Sequence, residues 1–187
     1  GAKIIFDVKC TSLLPQFISE NGGVPIMSRT GHSFIKQKLR ETKAELAGEM
    51  SGHIFFKERW YGFDDALYTG ARLLEIISKS GKTCSEIFAE MPVNISTPEI
   101  NINFEKHGQQ FEAMEKLSTN INFPSATINT IDGVRVDYEN CWGLVRASNT
   151  TPCLVLRFEA DDNEVLLEIK TKFKEWLKSN SIFTDSL

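Results

Sequence analysis

Residues 3–8 read K-I-I-F-D-V, a short β-branched run that predicts a strand. A helical pattern follows from Ser12 and stops at Asn21-Gly22-Gly23. The alternation then continues with a strand, a helix and a strand at Val24–Met27, Ser33–Thr42 and Ala44–Ala47. This β-α-β-α-β order predicts a three-layer α/β domain with a mainly parallel sheet.

The next segment is rich in aromatic residues and leads into a strong helix predicted over Ala66–Ser78. Asp64 or Asp65 is suited to be its N-cap, because a carboxylate accepts from the free N–H groups of the first turn. A metal site at the paired aspartates is the alternative, although the helix dipole favours acidic residues there without a metal. Four apolar residues at helical spacing are expected to form the buried face of this helix: Leu67, Ala71, Leu74 and Ile77.

The second half of the chain has a different pattern. The segment 93–103 contains proline and several Asn, Ser and Thr residues, which indicates a connector that ends in a strand. One helix is predicted around Phe111–Leu117 and an amphipathic helix over Asn163–Leu177. Strands are predicted at Ala126–Ile131, Val134–Tyr138, Trp142–Val145 and Cys153–Phe158. The simplest arrangement is an α+β domain with a four-stranded antiparallel sheet and two helices.

Composition limits the classes of function. At 187 residues and 41% hydrophobic content, the chain can bury a core in one or two domains. Residues 1–92 carry 12 Lys and Arg against 11 Asp and Glu, whereas residues 93–187 carry 9 against 14. The acidic second half argues against a nucleic-acid surface, which would need a basic stripe.

The apolar runs and the cysteines indicate the cellular compartment of the protein. No apolar run approaches the ~20 residues of a membrane helix, and no charged-then-apolar leader opens the sequence. The four cysteines are scattered, without a C-x-x-C pair, and are expected to be reduced thiols. We therefore expect a cytoplasmic protein that binds neither membranes nor nucleic acid.

The hexamer Gly48-Glu49-Met50-Ser51-Gly52-His53 has the chemistry to bind sugar hydroxyls, since a carboxylate accepts from two vicinal hydroxyls and a serine both donates and accepts. A solvated loop with a capping serine is the alternative. Thr30-Gly31-His32 repeats the form of Ser51-Gly52-His53, and Lys9 follows the first strand. Because ligand-binding loops gather at strand ends of α/β sheets, we expect Lys9, His32 and His53 near a ligand.

A second polar loop, Arg146-Ala147-Ser148-Asn149-Thr150-Thr151-Pro152, connects the last two predicted strands. Its guanidinium, hydroxyls and amide suit a phosphate, whose oxygens need convergent donors and favour a bidentate arginine. The alternative is an ordinary polar hairpin loop. Arg157, at strand spacing from the loop, is a candidate for a second positive charge.

Five motifs in this order resemble the C-terminal half of bacterial phosphomannomutase/phosphoglucomutase enzymes of the alpha-D-phosphohexomutase family. They are D-V-K-C (7–10), T-G-H-S (30–33), G-E-M-S-G-H (48–53), F-F-K-E-R-W-Y-G-F-D-D (55–65) and R-A-S-N-T-T-P (146–152). The resemblance implies the third of four domains, without its opening helix, over residues 1–92. It implies a connector at 93–103 and, over residues 104–187, a fourth domain similar in fold to half of a TATA-binding protein.

The resemblance also implies a reaction and a set of site residues. The reaction is the interconversion of hexose 6-phosphate and hexose 1-phosphate, of mannose or glucose, through a bisphosphorylated sugar. In this family Glu49 and Ser51 would bind sugar hydroxyls, and Lys9, His32 and His53 would line the cleft, with the two histidines placed to assist proton transfer. The residues that would bind the non-reacting phosphate are Arg146, Ser148, Asn149 and Thr150.

Two catalytic loops of the family have no counterpart here: the T-A-S-H-N-P-like phosphoserine loop and the D-G-D-G-D-R-like magnesium loop. Asp132-Gly133-Val134-Arg135 lacks the repeated aspartates and is interpreted as a hairpin turn. We therefore expect a substrate-recognition half that is inactive alone, binds no metal itself and needs the N-terminal domains of its parent chain. Mg²⁺ and glucose 1,6-bisphosphate would serve the full-length enzyme. The alternative is a stand-alone, non-catalytic sugar-phosphate-binding or interaction module.

Overall fold

A computed structural model describes residues 1–184 and 187 of the chain. The chain divides into two compact units, residues 1–93 and 94–187. The first unit contains β1 (Lys3–Asp7), α1 (Leu13–Glu20), β2 (Val24–Ser28), α2 (His32–Thr42), β3 (Leu46–Gly48), β4 (Ile54–Phe56), α3 (Ala66–Ser80) and α4 (Cys84–Ala89). The second contains β5 (Ile95–Ser96), β6 (Ile100–Asn103), α5 (Gln109–Thr119), β7 (Thr127–Asn129), β8 (Val134–Asp137), β9 (Cys141–Ala147), β10 (Cys153–Ala160) and α6 (Asn163–Ser179).

The sheet of the first unit has the order β2-β1-β3-β4, in which β1 runs parallel to β2 and β3 and only β4 is antiparallel. Ile5 packs with Ile35 and Leu39 of α2, whereas its neighbour Phe6 packs with Ile18 of α1. Because successive strand residues point to opposite faces, the two helices cover opposite faces of the sheet. The predicted three-layer α/β architecture is therefore confirmed.

The predicted buried face of α3 is wrong. Leu67 and Leu74 are 89% and 67% exposed, and no residue of this helix is buried. The opposite face packs instead: the Tyr68 ring stacks on Trp60 with centroids 4.2 Å apart, and the Arg72 guanidinium lies 4.7 Å above the Phe56 ring. Helix α3 thus packs on β4 and on the segment that follows it through aromatic and cation–π contacts, not through its leucines.

The sheet of the second unit contains the four predicted antiparallel strands in the order β10-β9-β8-β7, which confirms the α+β prediction. The segment 93–103, expected as a connector that ends in a strand, contributes that strand as β6 and also the short β5, and both pair antiparallel with β10. Helix α6 packs on the sheet through Phe173, whose ring meets Phe158 edge to face at 5.1 Å. Leu117 of α5 joins the same core.

Helix α4 was not predicted from the sequence pattern, although its capping box can be read there. Thr83 Oγ1 accepts from the Glu86 backbone N–H at 3.3 Å, and the Glu86 carboxylate accepts from the Thr83 N–H at 2.7 Å. Within the described residues, none of the four cysteines (Cys10, Cys84, Cys141 and Cys153) forms a disulfide. Within residues 1–184 no helix combines the length and the apolar character that crossing a membrane requires.

Candidate functional site

The first group of candidate residues follows the carboxyl ends of the parallel strands. The strand register pairs Asp7 with Ser28 and Phe6 with Gly48, so β1, β2 and β3 end side by side. Lys9, the Thr30-Gly31-His32 turn and Glu49 come directly after these ends. The sheet topology therefore gathers the predicted residues at one edge, where α/β folds bind ligands.

Asp7, the last residue of β1, organises this edge. Its carboxylate is fully buried and accepts from the Lys9 backbone N–H at 3.0 Å and from the Cys10 thiol at 3.2 Å. The Thr30 hydroxyl donates to its other oxygen at 3.4 Å. These bonds hold the Lys9 turn against the Thr30 turn, and Lys9 itself is only 7% exposed.

Glu49 is held in a fixed position within the hexamer. The hexamer closes as a tight turn between β3 and β4, because the Glu49 N–H donates to His53 O and the Gly52 N–H donates to Glu49 O, both at 2.9 Å. Glu49 is 7% exposed as a residue, and its Oε1 accepts from the Gly31 N–H at 2.6 Å. Its Oε2 has no hydrogen-bond partner within the described residues, whereas Ser51 is exposed at the tip of the turn. One carboxylate oxygen is thus anchored and the other is available.

His53 and His32 lie together, with ring centroids 6.5 Å apart. His53 Nδ1 lies 2.9 Å from Asp64 Oδ2, and Lys36 Nζ lies 3.7 Å from Asp64 Oδ1. Partial burial tends to raise the pKa of Asp64, but the His53 hydrogen bond and the Lys36 charge outweigh it and hold this pKa below its usual value. Asp64 is therefore an ionised acceptor at neutral pH, and His53 Nδ1 carries the proton between them.

The second group of candidate residues lies in the loop between β9 and β10. Ser148 is 7% exposed, and its Oγ accepts from the Thr151 N–H at 3.2 Å and from the Thr150 N–H at 3.4 Å. The same hydroxyl contacts Thr151 Oγ1 at 2.8 Å. Asn149 and Thr150 are exposed. A buried serine thus fixes the loop backbone, while the polar residues at its tip face solvent.

Gln110 supports this loop from helix α5. Its side chain is fully buried, and Nε2 donates to Ser148 O at 3.3 Å and to Thr151 O at 3.4 Å. Its Oε1 accepts from the Gly108 N–H at 2.8 Å. The amide therefore pairs with backbone groups of both the loop and the helix N-terminus, which would otherwise be buried without partners.

Arg146 is buried beside the loop with one end of its guanidinium engaged. Its side chain is 7% exposed, and Nε donates to Asp132 Oδ2 at 2.9 Å. Neither Nη group has a hydrogen-bond partner in the part of the chain that the structure describes. A buried arginine with two unengaged Nη groups is suited to bidentate contact with an anion.

The structure also places three further charged residues, Arg157, Asp64 and Asp65. Arg157 lies farther along β10, where its Nη2 contacts Ser96 Oγ at 3.4 Å, so the structure does not bring it together with the loop. Asp65, not Asp64, caps α3, because its Oδ1 accepts from the Tyr68 N–H at 2.9 Å. No cluster of three or more His, Cys, Asp or Glu side chains suited to a metal occurs among residues 1–184 and 187.

Sequence reasoning missed four residues that position the candidate side chains. Three of them are buried, and each contacts a residue distant in sequence: they are Asp7, Gln110 and Asp132. The fourth is Asp64, which the sequence suggests only as a cap or a metal ligand. A signal existed for Asp7 alone, because an Asp that ends an apolar strand next to a turn is suited to accept from that turn.

Comparison with known protein families matches both units. Residues 1–94 match the family model for phosphoglucomutase/phosphomannomutase, alpha/beta/alpha domain III, and residues 99–175 match the model for the C-terminal domain. A phosphomannomutase/phosphoglucomutase of Pseudomonas aeruginosa is 57% identical over 179 residues, which cover 96% of this chain and 38% of the relative. The chain thus spans about two fifths of the length of such relatives.

Solved structures are similar as well. A phosphoglucomutase/phosphomannomutase family protein from Burkholderia thailandensis superimposes with a TM-score of 0.88 at 49% identity, covering 97% of this chain and 38% of that protein. An N-acetylphosphoglucosamine mutase from Aspergillus fumigatus, solved in complex with glucose 1,6-bisphosphate, has a TM-score of 0.63 at 12% identity, with 98% and 39% covered. At that identity the second likeness is one of fold.

Proposed function

Because the chain belongs to the phosphoglucomutase/phosphomannomutase family, we propose that it is the substrate-recognition part of a cytoplasmic phosphohexomutase. The enzyme would be an isomerase that interconverts hexose 6-phosphate and hexose 1-phosphate through a bisphosphorylated sugar. The relatives are more than twice as long as this chain, so the proposal places the phosphoryl donor and the magnesium site in domains outside these residues. Those domains would be partners within the same parent chain.

The hexamer would bind the sugar. Glu49 presents the unengaged Oε2 of an anchored carboxylate, and Ser51 presents an exposed hydroxyl two residues away. Together they can accept from and donate to vicinal hydroxyls near the middle of a hexose ring. Contacts to the middle of the ring suit a mutase, because the sugar must react at its 1-position and at its 6-position in two opposite orientations.

The β9–β10 loop would bind the phosphate that is not reacting. Arg146 would supply two parallel N–H donors, and Ser148, Asn149 and Thr150 would supply hydroxyl, amide and backbone donors. The observation that carries this proposal is the Arg146 side chain, which is 7% exposed and has its Nε on Asp132 while both Nη groups are unengaged. Asp132 already supplies one anion for this buried guanidinium, and a phosphate would satisfy the N–H donors that Asp132 leaves unengaged.

His32, His53 and Lys9 would act at the end of the sugar where the phosphoryl group is transferred. His53 Nδ1–H would donate a hydrogen bond to Asp64. Nε2 of the neutral imidazole would then be left to accept a proton from a sugar hydroxyl. His32 lies 6.5 Å away between ring centroids and would be the second candidate for proton transfer. Lys9 would add positive charge at the same sheet edge.

Mg²⁺ and glucose 1,6-bisphosphate would be requirements of the full-length enzyme. Magnesium would neutralise charge on the transferred phosphoryl group. The described residues offer no cluster of three acidic, histidine or cysteine ligands, so they do not fit a magnesium site. The chain's own contribution in this proposal is to orient the sugar and its distal phosphate.

A mutase assay tests the proposal. The 187-residue chain is expected to show no turnover with glucose 1-phosphate, Mg²⁺ and glucose 1,6-bisphosphate, whereas the complete parent protein turns over. Measurable turnover by the chain alone would contradict the placement of the donor and metal loops elsewhere. In the parent, Arg146→Ala should cost about 1.5–3 kcal/mol in substrate binding, since a charge-assisted contact is lost, and an unchanged KM would contradict the phosphate role.

A further inference from the structure

The Asp132-Gly133 turn lies directly against Arg146. It connects β7 to β8, and the register pairs Val134 of β8 with Val145 of β9, the residue before Arg146. Asp132 is 9% exposed, and its Oδ2 accepts from Arg146 Nε at 2.9 Å. The pair therefore joins a hairpin turn to the residue at the base of the β9–β10 loop.

Gly133 allows this close approach. It has a φ of +82°, and a Cβ at this position would lie 2.2 Å from Val145 O and 2.7 Å from Arg146 Cα. Neither backbone atom can move without displacing β9, and L side chains rarely adopt this φ. Only glycine fits, and its absent side chain brings the Asp132 carboxylate within reach of the Arg146 side chain.

A second Arg–Asp pair in the same sheet has a different geometry. Arg135 Nε contacts both oxygens of Asp137, at 3.0 and 3.2 Å, and its Nη2 lies 3.0 Å from Asp137 Oδ1. Its guanidinium also stacks on the Trp142 ring at 3.9 Å. Asp132 instead contacts Arg146 at Nε alone and leaves the two Nη groups unengaged.

We propose that Asp132 and Gly133 form a positioning element for Arg146, which fixes the guanidinium by its Nε so that both Nη groups point to a phosphate of the substrate. This inference rests on the proposed function of the β9–β10 loop. An arginine that is hydrogen-bonded at Nε has its guanidinium already oriented. It therefore loses less rotamer freedom on phosphate binding than an unanchored arginine would. Asp132 also compensates the buried positive charge when no phosphate is bound.

The inference is tested on the 187-residue chain by titration with glucose 6-phosphate, followed through the backbone amide signals of Ser148 to Thr151. Asp132→Ala is expected to weaken binding by about tenfold or more, because the guanidinium loses its anchor. Asp132→Asn is expected to retain most of the affinity, since its amide oxygen can still accept from Nε. The Arg146 Nε–H signal should exchange slowly with water in the wild type and in Asp132→Asn, and rapidly in Asp132→Ala.

Asp137→Ala is the matched control, because it removes the carboxylate of the neighbouring Arg–Asp pair without touching the loop. It should lower the melting temperature and leave glucose 6-phosphate affinity unchanged. If Asp132→Ala does not fold, Asp132→Ser carries the same test, since its hydroxyl is too short to reach Nε.

The possible outcomes separate this inference from the function on which it rests. Wild-type affinity in Asp132→Ala together with lost binding in Arg146→Ala would overturn the positioning role and leave the phosphate site standing. Wild-type affinity in Arg146→Ala, or no binding by the wild type, would contradict the proposed phosphate site itself. Equal weakening by Asp132→Ala and Asp137→Ala would show a general loss of stability and would overturn the inference.

Discussion

His53 Nδ1 and Asp64 Oδ2 lie 2.9 Å apart, and this contact gives two adjacent aspartates different roles. Asp64 pairs with the histidine and with Lys36, whereas Asp65 caps α3 through the Tyr68 N–H. The backbone of Asp64 is bridged to Phe55 on β4, which fixes where its carboxylate can reach. Asp64 thus orients an imidazole and Asp65 begins a helix, and among the described residues neither belongs to a cluster suited to a metal.

Asp64→Ala should change the tautomer of the neutral His53 imidazole. The wild type should carry the proton on Nδ1, because the carboxylate can only accept, and the variant should lose that preference. ¹⁵N chemical shifts of the ring nitrogens report the tautomer directly. Asp65→Ala is the matched control: it should destabilise the fold by about 1 kcal/mol through the lost N-cap and leave the tautomer unchanged. The same tautomer in wild type and Asp64→Ala would contradict the orienting role.

Gln110→Leu should destabilise the second unit and loosen the β9–β10 loop. The fully buried amide of Gln110 forms hydrogen bonds with Ser148 O, Thr151 O and the Gly108 N–H. An apolar side chain would leave these three backbone groups without that partner. Each such group costs about 1–3 kcal/mol. Chemical denaturation measures the loss, and hydrogen exchange at Thr151 measures the loosening. A stability equal to wild type would show that the amide bonds do not support the loop.

Leu74→Ala and Leu117→Ala should differ sharply in stability, although the chemical change is the same. Leu74 is 67% exposed on α3, so its truncation should change the free energy of unfolding by no more than about 0.5 kcal/mol. Leu117 is fully buried between α5 and the sheet, so its truncation should cost about 2–5 kcal/mol. Denaturant titration of both variants checks the pair, and a comparable loss in Leu74→Ala would mean that the α3 stripe is buried in solution.

Glu75→Gln should produce a stability difference that depends on pH. Hydrogen bonds from Arg59 and Lys79 lower the pKa of Glu75 from 4.5 to about 2. A carboxyl whose pKa is lower in the folded protein stabilises the fold above its unfolded pKa and loses that contribution as the pH falls toward its folded pKa. The melting temperature of the variant should therefore be lower than that of wild type at neutral pH, and the gap should narrow between pH 4.5 and about 2. A gap that stays constant over this range would contradict the hydrogen bonds from Arg59 and Lys79 to Glu75.

Much of the fold follows from the sequence because strand and helix periods are local. The β1 residues Ile5 and Phe6 alternate between two faces, and the helices that cover them were predicted from their own apolar spacing. The stripe Leu67 to Ile77 shows the limit of this reasoning. A helical period identifies an apolar face, but it does not say whether another part of the described chain packs against it.

In the candidate site too, local patterns could be predicted from the sequence and long-range contacts could not. The hexamer and the loop at Arg146 were predicted because each gathers its polar groups within a few residues. Asp132 contacts Arg146 across 14 positions, and Gln110 reaches Ser148 across 38, so no local spacing could indicate either contact. Only the folded sheet brings these supporting side chains to the residues they hold.

Mapping of amide shifts during titration of the 187-residue chain with glucose 1-phosphate tests the central claim most directly. The account predicts saturable changes at both loops, residues 48–53 and 146–151. Glucose is predicted to shift only the first loop and inorganic phosphate only the second, because the hexamer binds sugar hydroxyls and the β9–β10 loop binds phosphate. Changes confined to other surfaces, or no changes at either loop, would contradict the claim that this chain recognises a phosphosugar.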